Sequence, residues 1–525
     1  MPVRKRQETQ EVLRTMILPP ILSAVLLILS YPDFNCGFLA WFGLVPLLYA
    51  LENTRPLKAF FAAYVCGFIF FLGTIYWLIH VTLPGMIAVS SYLAVYFGLF
   101  GLLSSLARSD SEIRSVFIIP SIWVAMEWAR SHLLSGFGWA LLGHSQSGYL
   151  PIIQIADITG AYGVSFIVAM ANVTLFLMVK TTLKRDRPIQ YISITVFVLF
   201  LCFSYGIFRL KNIFTGEKLK VAIVQGNIPQ SKKWDSSFRQ DIINRYEGLS
   251  REAAKSGPDL IIWPETAVPG FLESDKELLD RITSLAVDLH TPMLVGTPRE
   301  DASGTDAYYN SAVLILQDGS VAGSYDKIHL VPFGEYIPMK DMLSFVENYA
   351  SSPIGDFSAG DEYTVFSYFV RRSSGNNDVN MRLTKKIKFS VLICFEDIFP
   401  DIARQFVLRD ANFLVNMTND AWFNVSSAPY QHAQSSVFRA VENRVNVIRA
   451  ANTGYSCFID QKGRITDAVE SGGKRIFVEG FRAHDIVLTR TRTFYALYGD
   501  IFAYACILFA AGAISRTVLK RRRAR

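Results

Sequence analysis

Three short stretches carry side chains that could act together on a carbonyl group. In Trp263-Pro264-Glu265, proline stops an apolar strand-like run and Glu265 projects beyond its end. Residues 325–338, YDKIHLVPFGEYIP, carry Lys327 and Glu335. Residues 388–400, KFSVLICFEDIFP, read as a buried strand over 389–393 with Cys394 where the strand should end. Glu396 and Asp397 follow, suited to the first turn of a helix. Backbone N–H groups at a helix start point at whatever is bound there, so a thiol so placed has an oxyanion site at hand. A thiol of ordinary pKa, ~8.5, is mostly protonated at neutral pH and needs a base. Glu265 can take that proton, and Lys327 can favour the thiolate and stabilise a tetrahedral oxyanion. One lost oxyanion donor typically costs about 2.7–4 kcal/mol. Taken singly, the same residues read as a helix-start acid, a surface lysine with Glu335 as its salt-bridge partner, and a small buried thiol. Acyl-transfer chemistry therefore rests on their being gathered at one rim, as residues just past strand ends are in an α/β sheet.

The elements that would gather them belong to a polar domain expected over 215–492. It opens with LKVAIVQ (219–225), an apolar strand, and continues into a helix over 238–255 with charges on one face. Further strands are expected at 259–263, 292–296, 310–316, 321–325, 388–393, 412–416, 446–451 and 456–460, with a hairpin turn at Asp318-Gly319. Strands, hairpins and amphipathic helices mixed in this way predict an α/β layered sandwich. Residues 351–386 read as an exposed insertion, a hairpin rich in Ser, Asn, Gly and basic residues.

The rest of the chain is membrane-like. Of 525 residues 51% are hydrophobic, and they are clumped. Spans are expected from about Met16, over 38–51, 59–79, 81–107, 115–130, 158–179 and 189–208, and again over 495–515 after the polar domain. This predicts a membrane domain over 1–214 with seven spans, and an eighth span with a basic tail over 493–525. Basic residues recur in alternate loops: Arg4, Lys5, Arg6 and Arg14; Arg55 and Lys58; Arg108 and Arg114; Lys180, Lys184, Arg185 and Arg187; and Arg516 with Lys520, Arg521, Arg522, Arg523 and Arg525. The intervening loops around Asp33 and 80–85 have none, so both termini are expected in the cytoplasm and the polar domain on the opposite face. The net charge of +7 suits this orientation better than nucleic-acid binding. No paired cysteine spacing and no HExxH occurs, which argues against a zinc site or metal enzyme. Within the fifth span, Glu127 needs a partner, and Arg130 at i+3 is the expected one. Beyond it, 131–155 is apolar but broken by Gly and Pro, either a re-entrant loop or a wall of a lipid-accessible site.

The WPE stretch, the KIHLVPFGE block at 327–335 and LICFE at 392–396 resemble the Glu-Lys-Cys signature of the nitrilase superfamily. With HLVPFGEY, and with seven spans before and one after, nearly the whole chain resembles the apolipoprotein N-acyltransferase family, the membrane-bound branch of that superfamily. QGNIPQ at 225–230 with Trp234, EWAR at 127–130, GFGW at 136–139, NMTNDAWF at 416–423 and residues 439–453 extend the resemblance. It implies a polytopic α-helical membrane domain of about eight spans plus a nitrilase-like αββα sandwich. It implies Cys394 as nucleophile, Glu265 as general base and Lys327 as oxyanion stabiliser. Glu335 would orient Lys327 or share its charge, Glu396 would support the nucleophile turn, and the Phe395 N–H would remain available. Many relatives carry tyrosine where this chain has Phe395, which removes one hydroxyl. Trp234 and Trp422 would sit at the site mouth, with Trp139 a further substrate-binding candidate; aromatic packing at a membrane interface is the competing account. The implied reaction is ping-pong: a phospholipid acyl chain passes to Cys394 as a thioester, then to the N-terminal amine of an S-diacylglyceryl-cysteine apolipoprotein. It implies no metal or diffusible cofactor, and a place in the bacterial inner membrane with the catalytic domain facing the periplasm. A membrane-anchored amidase would use the same triad but let water resolve the thioester. A channel with an appended sensor domain would explain the spans alone.

Overall fold

A computed structural model of the chain describes residues 16–107, 111–184, 189–212, 214–301, 307–338, 356–372 and 383–523. The expected basic residues Arg4, Lys5, Arg6, Arg14, Arg108, Arg185, Arg187 and Arg525, and the insertion segments 351–355 and 373–382, lie outside these described residues. The chain divides into two compact units, Met1–Asn212 with Tyr498–Arg525, and Ile213–Leu497.

In the helical unit, Pro56–Thr74, Leu83–Leu106, Ala156–Thr181, Ile189–Lys211 and Ile501–Arg523 are long and apolar enough to cross a membrane. The chain is a membrane protein. The first two expected spans are shorter than the hydropathy suggests. They form Leu18–Leu29, and a 3₁₀ turn Gly37–Trp41 followed by Val45–Leu51. At 1.5 Å per residue the first helix rises only about 18 Å, against a hydrocarbon core of about 30 Å. The fifth segment forms one helix, Glu112–His132, that runs through Pro120. The last helix starts at Ile501 rather than 495, because Gly499 at φ +61° separates it from the short helix Phe494–Tyr498.

Glu127 and Arg130 are both buried, yet the i+3 spacing does not produce the expected ion pair. Glu127 Oε1 instead accepts from the Leu142 N–H (2.6 Å) and Trp123 Nε1 (3.0 Å). Arg130 Nη1 donates to the carbonyls of Phe137 (2.8 Å) and Trp139 (2.6 Å). Both charges thus answer backbone groups of the irregular stretch after the helix, where Trp139, Ala140, Leu141 and Leu142 are buried.

The second unit contains two six-stranded sheets. The first has the order β12-β1-β2-β3-β4-β5: β1 (Lys218–Gln225), β2 (Leu260–Ile262), β3 (Met293–Glu300), β4 (Tyr308–Ile315), β5 (Val321–Asp326) and β12 (Gly480–Val487). The second has the order β11-β10-β9-β8-β7-β6: β6 (Phe366–Arg372), β7 (Leu383–Ile393), β8 (Phe413–Thr418), β9 (Asn446–Ala451), β10 (Cys457–Ile459) and β11 (Ile465–Ala468). Strands β6, β11 and β12 are additions to the expected set, and β7 begins six residues before the apolar run, at Leu383, where it pairs with Arg372 of β6. The 351–386 region is thus partly a hairpin whose arms belong to the sheet. The helices Arg239–Ala254 and Lys276–Asp288 cover the first sheet, burying Ile243, Tyr246 and Ile282 among Val224, Ile261 and Val295. The sheets contact each other through β1 with β9 and β4 with β7, and Pro400–Leu408 and Ala428–Asn443 pack on the second sheet. This is the αββα sandwich.

Candidate active site

Strand direction brings the chemistry to one rim. β1, β2 and β3 are mutually parallel, β4 runs against β3, and β5 runs against β4, so β2 and β5 end on the same side. Glu265 follows β2 and Lys327 follows β5. In the second sheet β7, β8 and β9 are parallel, and Cys394, Asp420 and Asn452 follow their C-terminal ends.

Trp263 anchors the first of these ends. It is fully buried, stacks on Tyr246 at 4.9 Å and donates its indole N–H to Ser250. The chain then crosses β3 at Gly296, where a Cβ would stand 2.3 Å from the Pro264 carbonyl, so only glycine lets the Glu265 loop lie there. Glu265 Oε1 accepts from Asn310 Nδ2 at 2.8 Å, and the same amide donates to Glu335 Oε1 at 2.9 Å. Lys327 Nζ lies 2.8 Å from Glu335 Oε2 and 3.9 Å from Glu265 Oε1, with 1% of its side chain exposed. Glu335 is held in turn by the Val331 N–H (2.8 Å). Burial works to lower the Lys327 pKa, but the Glu335 and Glu265 carboxylates outweigh it and hold it above the ordinary value. Lys327 is therefore a fixed cation. The sequence marked Glu335 as its companion; Asn310, which ties both carboxylates together, carried no local signal.

Cys394 is partly exposed, at φ +52°, a conformation that costs a non-glycine residue about 1–2 kcal/mol. The sequence anticipated a helix start here; a 3₁₀ turn, Cys394–Ile398, forms instead, and the α-helix begins at Pro400. Burial pushes the thiol pKa up, the Glu265 carboxylate adds to this, and Lys327 opposes it. The three groups thus feel one another's charge. The resting thiol is neutral and needs a base, and the carboxylate that disfavours the thiolate is the one able to accept its proton.

Glu396, fully buried, accepts from Tyr325 Oη (2.8 Å) and the N–H groups of Ile328 (2.7 Å), His329 (3.1 Å) and Ile393 (2.7 Å). It therefore fastens the Lys327 loop to the Cys394 turn. Burial lifts its pKa to about 7, against the pull of Lys327 and the N–H donors. Phe395 packs against Phe399 at 5.2 Å. Lys233, unmarked in the sequence reading, is 3% exposed and donates to the Glu265 carbonyl at 3.0 Å. Burial lowers its pKa to about 8 although Glu265 and Cys394 pull it up. Lys233 and Trp234 also line a cleft of about 440 Å³ with Arg239, Phe271, Tyr308 and Phe357; neither Cys394 nor Glu265 reaches its wall. Trp234 is 53% exposed and Trp422 39%. Trp139 belongs to the helical unit, where it is 4% exposed and packs on Trp77 at 5.1 Å.

Two facing sheets with a carboxylate, an amine and a thiol at their strand ends define a carbon–nitrogen hydrolase fold, and a family model described as Carbon-nitrogen hydrolase matches residues 220–479. Residues 23–174 match the Apolipoprotein N-acyltransferase N-terminal domain. The chain is 41% identical over 509 residues to an apolipoprotein N-acyltransferase of Geobacter metallireducens, covering 94% of each, and 30% identical to one of Chlorobaculum tepidum, covering 96% of each. It belongs to the apolipoprotein N-acyltransferase family. Among solved structures, Nit3 of Saccharomyces cerevisiae, a member of branch 10 of the nitrilase superfamily, matches 53% of this chain and 92% of its own at 20% identity and a TM-score of 0.37.

Proposed function

We propose that the chain transfers a fatty acyl group from a membrane phospholipid to the N-terminal amine of an S-diacylglyceryl-cysteine apolipoprotein, with Cys394, Glu265 and Lys327 as the reacting triad. The observation that carries this reading is the Lys327 ammonium held by Glu335 and Glu265 in electrostatic reach of Cys394. In the first half-reaction Glu265 accepts the Cys394 proton and sulfur bonds to the ester carbonyl carbon. The oxyanion is stabilised by Lys327 with the Phe395 N–H. The carbon–oxygen bond breaks, the glycerol oxygen takes the proton from Glu265, and a lysophospholipid leaves a thioester. In the second, the α-amine attacks the thioester carbonyl carbon, Glu265 accepts a proton from the amine nitrogen, the carbon–sulfur bond breaks, and the departing Cys394 sulfur takes that proton from Glu265 as the amide forms. Glu335 keeps Lys327 charged, and Glu396 holds the Lys327 loop against the nucleophile turn. The exposed rings of Trp234 and Trp422 are the substrate-contact candidates, and Trp139, buried on Trp77 in the helical unit, is a further one only if that ring is uncovered. No step calls for a metal. The setting is the bacterial inner membrane, both termini cytoplasmic, with the α/β unit on the periplasmic side where lipidated precursors emerge.

The test uses full-length protein in detergent with a phospholipid mixture and a synthetic diacylglyceryl-cysteine peptide. Mass spectrometry should find one added fatty acyl group with the wild type and none with Cys394→Ala. Fatty acid release without peptide acylation, or cleavage of small amides, would replace the transferase with a hydrolase.

A further inference from the structure

Behind the nucleophile turn lies a buried ionic cluster that the triad does not use. His432, on the helix Ala428–Asn443, is 1% exposed. Its Nδ1 stands 3.1 Å from Asp420 Oδ1. Its Nε2 stands 2.9 Å from Asp397 Oδ1 and 3.1 Å from the carbonyl oxygen of Cys394. These partners are acceptors on both sides of the ring. A neutral imidazole has one donor nitrogen, whereas an imidazolium has two. Arg449 completes the group, with Nη1 2.8 Å from Asp397 Oδ2 and Nη2 3.9 Å from Asp420 Oδ2. Ser436 also donates to Asp397. Two carboxylates against one guanidinium and one imidazolium cancel, whereas a neutral ring would leave an uncompensated buried charge.

The Cys394 carbonyl takes two side-chain donors, Asn416 Nδ2 at 3.0 Å and His432 Nε2. A trans peptide directs its C=O and N–H oppositely. Holding that carbonyl therefore fixes the 394–395 peptide, the direction of its N–H, and the left-handed backbone that presents Sγ. We propose that His432 is a positioning residue: an imidazolium clamped by Asp397 and Asp420 that holds the Cys394 carbonyl and so aims the nucleophile turn. The electrostatics agree in direction. Burial would lower its pKa and Arg449 opposes protonation, but Asp397 and Asp420 raise it to about 9. This inference rests on Cys394 as the nucleophile, but not on the identity of the acyl donor.

The experiment uses the full chain in detergent, labelled with ¹⁵N-histidine, with the His432 resonance identified by its loss in His432→Gln. The expected result is a doubly protonated ring at about pH 7 that deprotonates near 9. A neutral ring at that pH overturns the proposal. A second arm follows Cys394 acylation by phospholipid in a single turnover, and alkylation of Cys394 by iodoacetamide. His432→Gln should slow acylation about 100-fold while the half-saturating phospholipid concentration moves less than about threefold. Asp420→Asn, which keeps the cluster's shape, should move the His432 ring titration, read on the same ¹⁵N resonance, down by about one pH unit; the ring is followed because Asp420 also raises the Cys394 thiol directly. An unmoved ring titration in Asp420→Asn, or acylation within about threefold of wild type in His432→Gln, overturns the proposal. Should His432→Gln not fold, Asp420→Asn decides the matter. Iodoacetamide needs no lipid, so a failed lipid reading leaves that arm intact.

Discussion

The helical unit and the α/β unit each bury charge, and they use it differently. Glu127 and Arg130 are directed at backbone: three carbonyls and one N–H of the stretch beyond the helix, with an indole N–H besides. Lys327, Glu335, Glu265 and Asn310 are directed at one another. A charge whose partners are backbone groups pins a loop, and removing it costs shape. A charge whose partners are other charges beside a reactive group sets that group's protonation, and removing it costs chemistry. Burial of a charge does not separate the two cases; the identity of its partners does.

The largest expected effect breaks the charged cluster. Lys327→Met should lower the acyl-transfer rate at least about 1000-fold, because it removes the oxyanion cation and leaves Glu265 and Glu335 facing each other. Single-turnover thioester formation measures the loss, and Tm in detergent reports the accompanying instability. If thioester still forms at a tenth of the wild-type rate or more, the cluster is a structural ion network and the two units do not differ.

Arg130→Met sharpens the other side. It strips the Phe137 and Trp139 carbonyls of their donor, so about 2–4 kcal/mol of stability should go. Activity per folded molecule should fall far less than in Lys327→Met. Equal kinetic losses would mean that the stretch after Glu112–His132 contributes to the chemistry directly.

Glu396 combines both roles, since its partners are three N–H groups and a phenol but its oxygens lie close enough to feel Lys327. Its folded pKa, about 7, is raised above the ordinary 4.5 of a free glutamate side chain. The contribution is therefore fully present below the unfolded value and is lost as pH rises through the folded one, about 3 kcal/mol for such a shift. Wild-type Tm should decline between pH 5 and 8, and Glu396→Gln, neutral throughout, should lack that part of the slope. Parallel curves would show that Glu396 titrates near its ordinary value.

How much of this was legible follows from how local each signal is. Glu265, Lys327 and Cys394 stand out because each follows its own strand within a few residues, so strand ends alone predict a shared rim. Asn310 was not legible. It reaches both carboxylates only because Ser311 pairs with Asp326, a register that sets Asn310 beside Lys327. His432 and Lys233 meet the site through equally distant contacts. β12 escaped notice because its partner β1 lies some 260 residues away, and its alternation is weak. In the helical unit, hydropathy counted apolar residues correctly but not helix length. The proline-containing stretch after Leu29 and the 3₁₀ turn at Gly37–Trp41 break two expected spans into short helices. The i+3 spacing of Glu127 and Arg130 suggested a pair, but the irregular, buried chain beyond the helix offered both residues backbone partners.

The smallest expected effect concerns the tryptophans, which the sequence placed in one class and the structure divides. Trp234 is half exposed on the wall of the cleft, whereas Trp139 is buried on Trp77. Trp234→Ala loses no core contact, so Tm should hold, and the half-saturating concentration of one substrate should rise about threefold to tenfold with the maximal rate little changed. Trp139→Ala should act mainly through stability, by about 3–5 kcal/mol for an emptied core site. Titrating phospholipid and peptide separately against Trp234→Ala identifies the substrate that the exposed ring meets. If neither concentration moves, the cleft is not part of the binding route. If Trp139→Ala, assayed per folded molecule, raises a half-saturating concentration as well, its buried ring faces substrate in a state more open than this one, and the helical unit would then share in binding.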